Sequence, residues 1–374
     1  MIIYKLKEYY EQAVLPNIGI ILSLISQLFN CLMVMFCKLL LNDKDFETPI
    51  HPLQILFVRM LITYIFCLSY LIFIEKNNDL PFGPKKLRFL LFLRALGGFI
   101  SVCGQYWSLI YLNVSDTVVI LFLEPTITAF MAWITLGEIF TKIEAIGGLI
   151  AFFGVLLIAK PPFLLYLFHL KENNKENLIN SSNNLRLIGT CLALLSCFGT
   201  GISMCSMRKI GFQIHPLFMV SVYALFTIIG SFIGILLIPG LSFQIPHNFK
   251  QWSFLIIIGI TGFFMQFLLT ASIQRERASI ATAMIYTQLI YASIFDYFVN
   301  NIIPKGLTLI GEIIIIFAVF NIVYFKESNV IIEPIVVVDL ERDIQLETYQ
   351  DFEDLNIIQD TPSKQFDEFN EGMN

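Results

Sequence analysis

Apolar residues fill ten long stretches of this chain, and polar residues collect in the segments between them. Each stretch is close to the roughly 20 apolar residues that a helix needs to cross the hydrocarbon core of a bilayer. The ten predicted spanning segments are residues 17–40, 52–74, 87–112, 116–136, 143–160, 186–207, 216–238, 251–273, 278–300 and 304–325. This pattern predicts an all-α polytopic membrane protein with ten transmembrane helices.

The second half of the chain repeats the first at a constant offset of 164 residues. Five anchors match without a gap, namely His51, Thr63, Gly98, Ser115 and Gly147, which return as His215, Thr227, Gly262, Ser279 and Gly311. Because each copy holds five crossings, an odd number, the second copy must enter the membrane upside down. Inverted repeats are typical of secondary transporters, which bind substrate between the copies near the bilayer midplane. We therefore expect ten helices arranged as two five-helix inverted repeats.

Composition divides the chain into five parts. We predict a cytosolic N-terminus over 1–16, a first repeat over 17–160, a polar linker over 161–185, a second repeat over 186–326 and a tail over 327–374. The tail is rich in Asp and Glu and nearly free of Lys and Arg, which predicts a disordered, cytosolic segment. A glycosylation sequon begins at Asn180 in the linker, and the sequence leaves its use open.

The distribution of Lys and Arg gives the orientation. The clusters KKLR at 85–88, RK at 208–209 and RER at 275–277 all fall on the side of the N-terminus. By the positive-inside rule, both termini are then cytosolic. The sequence does not say which membrane the protein occupies.

The overall composition excludes several classes of protein. Hydrophobic residues make up 56% of the chain and charged residues 14%, whereas soluble domains carry about 25% charged residues. The seven cysteines lie inside apolar stretches and the four histidines are scattered, which predicts neither a disulfide framework nor a metal site. We expect no nucleic acid partner and, without a nucleotide-binding loop, no cofactor.

The stretch LFLEPTITAFMAWITLGEIFTKIEAIGGLIAFFGVLLIA at 121–159 carries a series of motifs. They are Pro125, the pair Gly137 and Glu138, and the glycines Gly147 and Gly154, preceded by Arg59 and by LRALGGF at 93–99. This order resembles the EamA-type domain of the drug/metabolite transporter superfamily, and is most similar to its solute-carrier-35-like members. The resemblance implies a ten-helix bundle that carries small organic metabolites. It also makes Glu138 an architectural position, for which we expect a cap or a surface salt bridge near Lys142.

The second repeat departs from the family pattern. At the offset of 164, Pro125 becomes Leu289, the Gly137-Glu138 pair becomes Asn301-Ile302 and Arg59 becomes Tyr223. A site built symmetrically from both repeats is therefore not expected.

Four charged residues stand well inside the predicted helices, where each costs about 2.5–3.5 kcal/mol on insertion scales. Counted along their helices, Arg59 and Glu124 lie at similar depths below the outer face, so they are candidates for an ion pair. Arg59 is either an anchor for an anionic substrate, a gate paired with Glu124, or half of a structural ion pair. For Arg94 we favour a snorkelling interface residue over a substrate ligand, because it lies near the inner end of its helix.

The carboxyls are candidates for a coupling proton. Glu124 either carries a proton or compensates Arg59, and Glu312, which has no obvious partner, is a second candidate proton site. Gln288 is the repeat mate of Glu124, which suggests that both face one central space.

These observations predict a secondary transporter of a small organic metabolite, which works by alternating access between the inverted repeats. Arg59, Glu124, Arg94 and Gln288 are the candidates for substrate binding or gating. The expected partners are a small-molecule substrate, membrane lipid and a coupling proton, and the arginines favour an anionic cargo. Two alternatives remain: a membrane-embedded enzyme, for which the sequence shows no reactive cluster, and a non-transporting scaffold that acts through the acidic tail.

Overall fold

The fold is described here from a computed structural model, over residues 17–41, 50–75, 83–112, 114–138, 141–159, 183–237, 243–246, 248–300 and 306–325. The helices in these ranges are α1 Ile18–Leu41, α2 Pro52–Phe73, α3 Arg88–Tyr111, α4 Val114–Leu121, α5 Glu124–Leu136, α6 Lys142–Ala159, α7 Asn183–Ile210, α8 Pro216–Leu237, α9 Phe249–Arg275, α10 Ala278–Ala283, α11 Thr287–Asn300 and α12 Leu307–Tyr324. The N-terminus, Asn180 and the acidic tail lie outside the described residues.

Ten segments of the described chain are long and apolar enough to cross a membrane. Eight of them are single helices, and the other two crossings are each made of two helices: α4 with α5, and α10 with α11. The prediction of an all-α polytopic membrane protein with ten spanning helices is confirmed. We call the side on which α1 begins the inner side, following the orientation predicted from the sequence.

The helices α2 and α8 begin in the same way, 164 residues apart. Nδ1 of His51 accepts a hydrogen bond of 3.2 Å from the backbone N–H of Leu53, and Nδ1 of His215 accepts one of 3.2 Å from that of Leu217. The residue after each histidine is a proline, which has no N–H to satisfy in the first turn. The repeated His-Pro-Leu sequence is therefore a helix N-cap used twice.

The fourth and ninth crossings are interrupted at equivalent depths. The fourth breaks at Phe122 and Leu123, just before Pro125, which lacks the N–H that would continue the helical ladder. The ninth tightens into a 3₁₀ turn over Met284–Tyr286. Phe122 and Tyr286 are repeat mates, so both repeats break the same helix at the same place.

Matching contacts across the repeats show the pseudo-two-fold relation directly. Arg59 on α2 packs so closely on α9 that a Cβ on Gly262 would lie 2.8 Å from Cδ of Arg59. Its repeat mate, Tyr223 on α8, packs on α3, where a Cβ on Gly98 would lie 2.7 Å from Cε2 of the ring. Since both partners of one contact are mates of the partners of the other, the two five-helix repeats are related by this axis.

The repeats interlock. The most extensive helix interfaces are α3 with α7, α1 with α9, α6 with α12 and α2 with α8, and each of them joins one repeat to the other. Small residues bring α6 and α12 together: a Cβ on Gly154 would lie 2.8 Å from the carbonyl oxygen of Gly311, and a Cβ on Gly311 would lie 2.6 Å from that of Gly154. Such close backbone approach is a main source of helix association in lipid.

This close approach generates a stability prediction. We expect Gly154→Ala to lower the melting temperature of the detergent-purified protein, because the new methyl group meets a backbone oxygen that cannot rotate away. Overpacking of this kind typically costs about 1–3 kcal/mol. Gly148→Ala on the same helix is the matched control, since its nearest neighbour would be Oγ1 of Thr126 at 4.0 Å. Equal melting temperatures for the two variants would contradict the proposed contact.

Candidate functional site

The two interrupted crossings meet at their breaks. The rings of Phe122 and Tyr286 stack with centroids 5.9 Å apart and planes 17° apart. The Tyr286 hydroxyl donates a hydrogen bond of 3.2 Å to the carbonyl oxygen of Phe122. Because these residues are repeat mates, their contact lies close to the pseudo-two-fold axis, in the middle of the bundle.

Glu124 is the first residue of α5, directly after the break in the fourth crossing. Its carboxylate therefore lies at a helix N-terminus, where the backbone dipole favours negative charge. The side chain is partly exposed, and Oε1 accepts a hydrogen bond of 3.0 Å from the Thr200 hydroxyl on α7.

A row of hydroxyl groups extends from this carboxylate. Oγ1 of Thr200 lies 2.7 Å from the Ser101 hydroxyl on α3, and Ser101 lies 3.3 Å from the Ser196 hydroxyl. Ser196 also donates to the Ser101 carbonyl oxygen at 2.8 Å. The polar row thus connects Glu124 with the interface between α3 and α7.

Gln288 occupies the corresponding position in the ninth crossing. Its side-chain oxygen accepts a hydrogen bond of 3.1 Å from the Asn30 amide on α1. Glu124 and Gln288 therefore make equivalent contacts, each with the helix that opens the other repeat. Glu124 bonds to α7 and Gln288 bonds to α1, and the two side chains do not bond to each other.

The structure does not bring Arg59 and Glu124 together. Nη1 of Arg59 lies 3.0 Å from Sδ of Met33 on α1, and its Nε has no hydrogen-bond partner among the described residues. None of the ion pairs that the described residues form includes Arg59. The candidate ion pair does not form, because the Arg59 side chain contacts α1 and α9, whereas Glu124 bonds to Thr200 on α7.

Arg94 is also placed differently from the favoured interpretation. Its side chain is only 1% exposed, so it does not snorkel to the interface. The guanidinium carbon lies 4.9 Å from the centre of the Tyr223 ring, and Nη2 donates a hydrogen bond of 3.1 Å to the Thr270 hydroxyl. Counting along α3 gave the depth of Arg94 but could not show that α8 and α9 cover it.

Glu312 lies on α12 and is 8% exposed. Its Oε1 has no hydrogen-bond partner among the described residues. It lies on a different helix from the hydroxyl row that begins at Glu124, and it belongs to none of the ion pairs that the described residues form.

Two ion pairs formed by described residues join the repeats at the inner side. Glu138 accepts from Nε of Arg208 at 2.8 Å through Oε1, and from the backbone N–H of Ala278 at 3.0 Å through Oε2. Arg277 and Glu144 form the second pair, with 2.5 Å between Nη2 and Oε1 and side chains 5% and 7% exposed. At the other side, the described pair Arg186–Asp116 has an arginine that is 61% exposed.

Glu138 thus caps a helix, as expected, but the helix that it caps is α10 and not a helix of its own turn. Its charged partner is Arg208. Arg208 also donates through Nη1 to the carbonyl oxygens of Ile273 and Gln274, at 3.3 and 2.9 Å, where α9 ends. The sequence offered Arg208 and Arg277 only as markers of orientation. Nothing in the sequence indicated that they bind carboxylates of the first repeat.

Comparison with known proteins agrees with this architecture. An uncharacterized membrane protein of Saccharomyces cerevisiae is 43% identical over 84% of this chain and 77% of its own length. A probable transport protein of the same yeast is 40% identical over 84% and 90%. Human solute carrier family 35 member G1 is 26% identical over 83% and 80%.

A solved crystal structure has the same fold, with a TM-score of 0.63 at 11% identity, over 82% of this chain and 96% of the other. The EamA-like transporter family matches residues 17–160 and 187–324, which together make up most of the protein. The family resemblance found in the motifs from Arg59 to Gly154 is confirmed. This chain is an integral, multi-pass membrane protein that belongs to the EamA-like transporter family.

Proposed function

We propose that this protein is a secondary transporter, which moves a small organic metabolite across its membrane by alternating access. The observation that carries the proposal is the meeting of two interrupted crossings at Phe122 and Tyr286. Interrupted helices at the interface between inverted repeats are where secondary transporters bind their substrates. The partly exposed Glu124 begins its half-helix at this point.

In this proposal, the cargo site lies around the point where the two interrupted crossings meet, at Phe122 and Tyr286. Glu124 and Gln288 each follow one of the stacked rings by two residues, and Arg59 and Arg94 lie in the interface that α2 and α3 form with α8 and α9. Arg59 and Gln288 are partly exposed and so available to a ligand. The two arginines favour an anionic cargo.

A proton is the coupling ion that the carboxyls support. Glu124 has one described hydroxyl donor and no described cation, and Glu312 is buried with one oxygen unpartnered. A carboxyl inside the membrane without a positive partner is the type of group that carries protons in transporters. Glu124 is the first candidate for the proton site because it lies two residues after Phe122, where the two interrupted crossings meet.

The inner ion pairs serve as the gate in this mechanism. Both link a carboxylate of the first repeat to an arginine of the second, and both are largely buried. In this mechanism they hold the inner ends of the two repeats together and have to separate when that side opens. Since the widest interfaces join the repeats, each moving body contains helices from both repeats, and the repeats do not rock as two separate blocks.

The proposal is tested by uptake into liposomes that contain the purified full-length protein. A mixed pool of metabolites is supplied outside, with and without an inward proton gradient, and the contents are analysed by mass spectrometry. Accumulation of at least one metabolite above protein-free liposomes is expected. If well-folded protein accumulates nothing, a transport function is refuted and the acidic tail becomes the feature to pursue.

Glu124→Gln separates proton coupling from cargo binding. We expect gradient-driven uptake to fall at least tenfold, because the amide cannot take up a proton, while exchange of labelled for unlabelled cargo continues. A positioned proton-transfer group typically contributes about 10²–10⁴-fold, so a tenfold fall is a conservative threshold. Glu312→Gln is the matched variant in the same assay. Loss of gradient-driven uptake in Glu312→Gln alone would move the proton site to α12.

Charge reversal tests the inner gate. We expect Arg277→Glu to lower the melting temperature, because breaking a buried ion pair costs about 3–5 kcal/mol, and Glu144→Arg with Arg277→Glu to recover part of the loss. Arg186→Glu, which breaks the outer pair at its 61% exposed arginine, is the control and should change the melting temperature little. A double variant no more stable than Arg277→Glu would show that the two residues do not act as a pair.

A further inference from the structure

Arg94 is a buried positive charge whose hydrogen bonds are incomplete. Nη2 bonds to Thr270 and the guanidinium lies over Tyr223, but Nε and Nη1 have no partner among the described residues. With 1% of its surface exposed, the side chain has no bulk water to complete these bonds. A buried charged group in this condition carries a large desolvation cost.

Arg59 shares this condition and the same neighbourhood. Its Nε is unpartnered, and Nη1 reaches only the Met33 sulfur, a weak acceptor. Tyr106 packs in one cluster with Tyr223 and with Met60, which follows Arg59 in α2, so both arginines lie beside the same cluster. We call Arg59, Arg94, Tyr106 and Tyr223 the arginine–tyrosine cluster.

Among the described residues, no ion pair includes Arg59 or Arg94. Glu124 accepts from Thr200, Glu138 and Glu144 pair with arginines at the inner side, and Asp116 pairs at the outer side. Glu312 is on α12, which packs mainly on α6. Two guanidinium groups therefore share one apolar interface with aromatic rings and a sulfur as their main neighbours.

We propose that the arginine–tyrosine cluster binds the anionic group of the cargo, a carboxylate or a phosphate. The inference rests on the transport function proposed above and names its substrate class. A carboxylate or phosphate accepts two hydrogen bonds from one guanidinium, which is what the free Nε and Nη1 of Arg94 and the free Nε of Arg59 require. The anion neutralises charge that no ion pair among the described residues compensates.

The two arginines have different roles in this site. Arg59 is partly exposed and meets the anion first. Arg94 is enclosed by Tyr223 on α8 and Thr270 on α9 in this structure, so the anion reaches it only when these helices shift against α3. Bound cargo therefore stabilises the arrangement of helices that encloses it relative to the open arrangement. A ligand can shift a conformational equilibrium only through such a difference in affinity.

The stability of the cargo-free protein provides a test that needs no knowledge of the cargo. We expect Arg94→Met to keep or raise the melting temperature, because an apolar side chain of similar length replaces a charge without a counter-ion. Arg277→Met, which leaves Glu144 unpaired, is the matched control and should lower it. A fall for Arg94→Met equal to that for Arg277→Met would overturn the proposal in favour of a structural role.

Ligand-induced stabilisation is measured on the same proteins with three probes: succinate, inorganic phosphate and, as the cationic comparison, putrescine. We expect succinate or phosphate, but not putrescine, to raise the melting temperature of the wild-type protein. The anion that raises it more shows whether the site prefers a carboxylate or a phosphate. Arg94→Met and Arg59→Met should each weaken the apparent affinity for that anion roughly 30-fold or more, because this is the typical effect of removing one partner of a buried charge pair.

Three outcomes would overturn the inference: no response to either anion, a response to putrescine alone, or equal anion responses in wild type and both variants. These melting measurements do not depend on transport. If liposomes take up a metabolite and Arg94→Met leaves that uptake unchanged, the transporter stands and the anion site fails. If the anion responses are as expected but nothing is taken up, the site stands and the transport function fails.

Discussion

Close backbone contact across small residues is the constraint on which this bundle depends. Lipid chains are as apolar as the helices, so apolar surface alone gives the helices no reason to associate. The approach of α6 and α12 at Gly154 and Gly311 supplies the packing instead. Glycine plays the same part at Gly98 and Gly262, where it makes room for a large side chain from the other repeat.

The two repeats keep the same geometry but different chemistry. Phe122 and Tyr286 share one position at the axis, yet only Tyr286 carries a hydroxyl, which satisfies the carbonyl freed at the opposite break. At the positions of Arg59 and Glu124, the second repeat has Tyr223 and Gln288. Arg59, Arg94 and Glu124 therefore come from the first repeat, whereas Thr200, Thr270 and Tyr223, which contact Glu124 and Arg94, come from the second.

Much of the fold could be predicted from the sequence because the relevant signals are local or periodic. The spans follow from apolar stretches of bilayer length, and the inverted repeat follows from five anchors at one offset. Depth along a helix also follows, since each residue adds about 1.5 Å. What could not be predicted is the direction in which a side chain points within the bundle, which depends on the packing of distant helices. For this reason the Arg59–Glu124 pair and the snorkelling of Arg94 were wrong, and the pairing of Arg277 with Glu144 was missed.

The interlocking of the repeats has a consequence for how the protein is made. The chain enters the membrane from its N-terminus, so α1 to α6 are inserted before their main partners α7 to α12 have been synthesised. During that interval Gly154, Gly98 and Arg59 lack the neighbours that they have in the finished bundle. The first repeat on its own therefore cannot complete its packing, and the native bundle forms only after α12 has been synthesised.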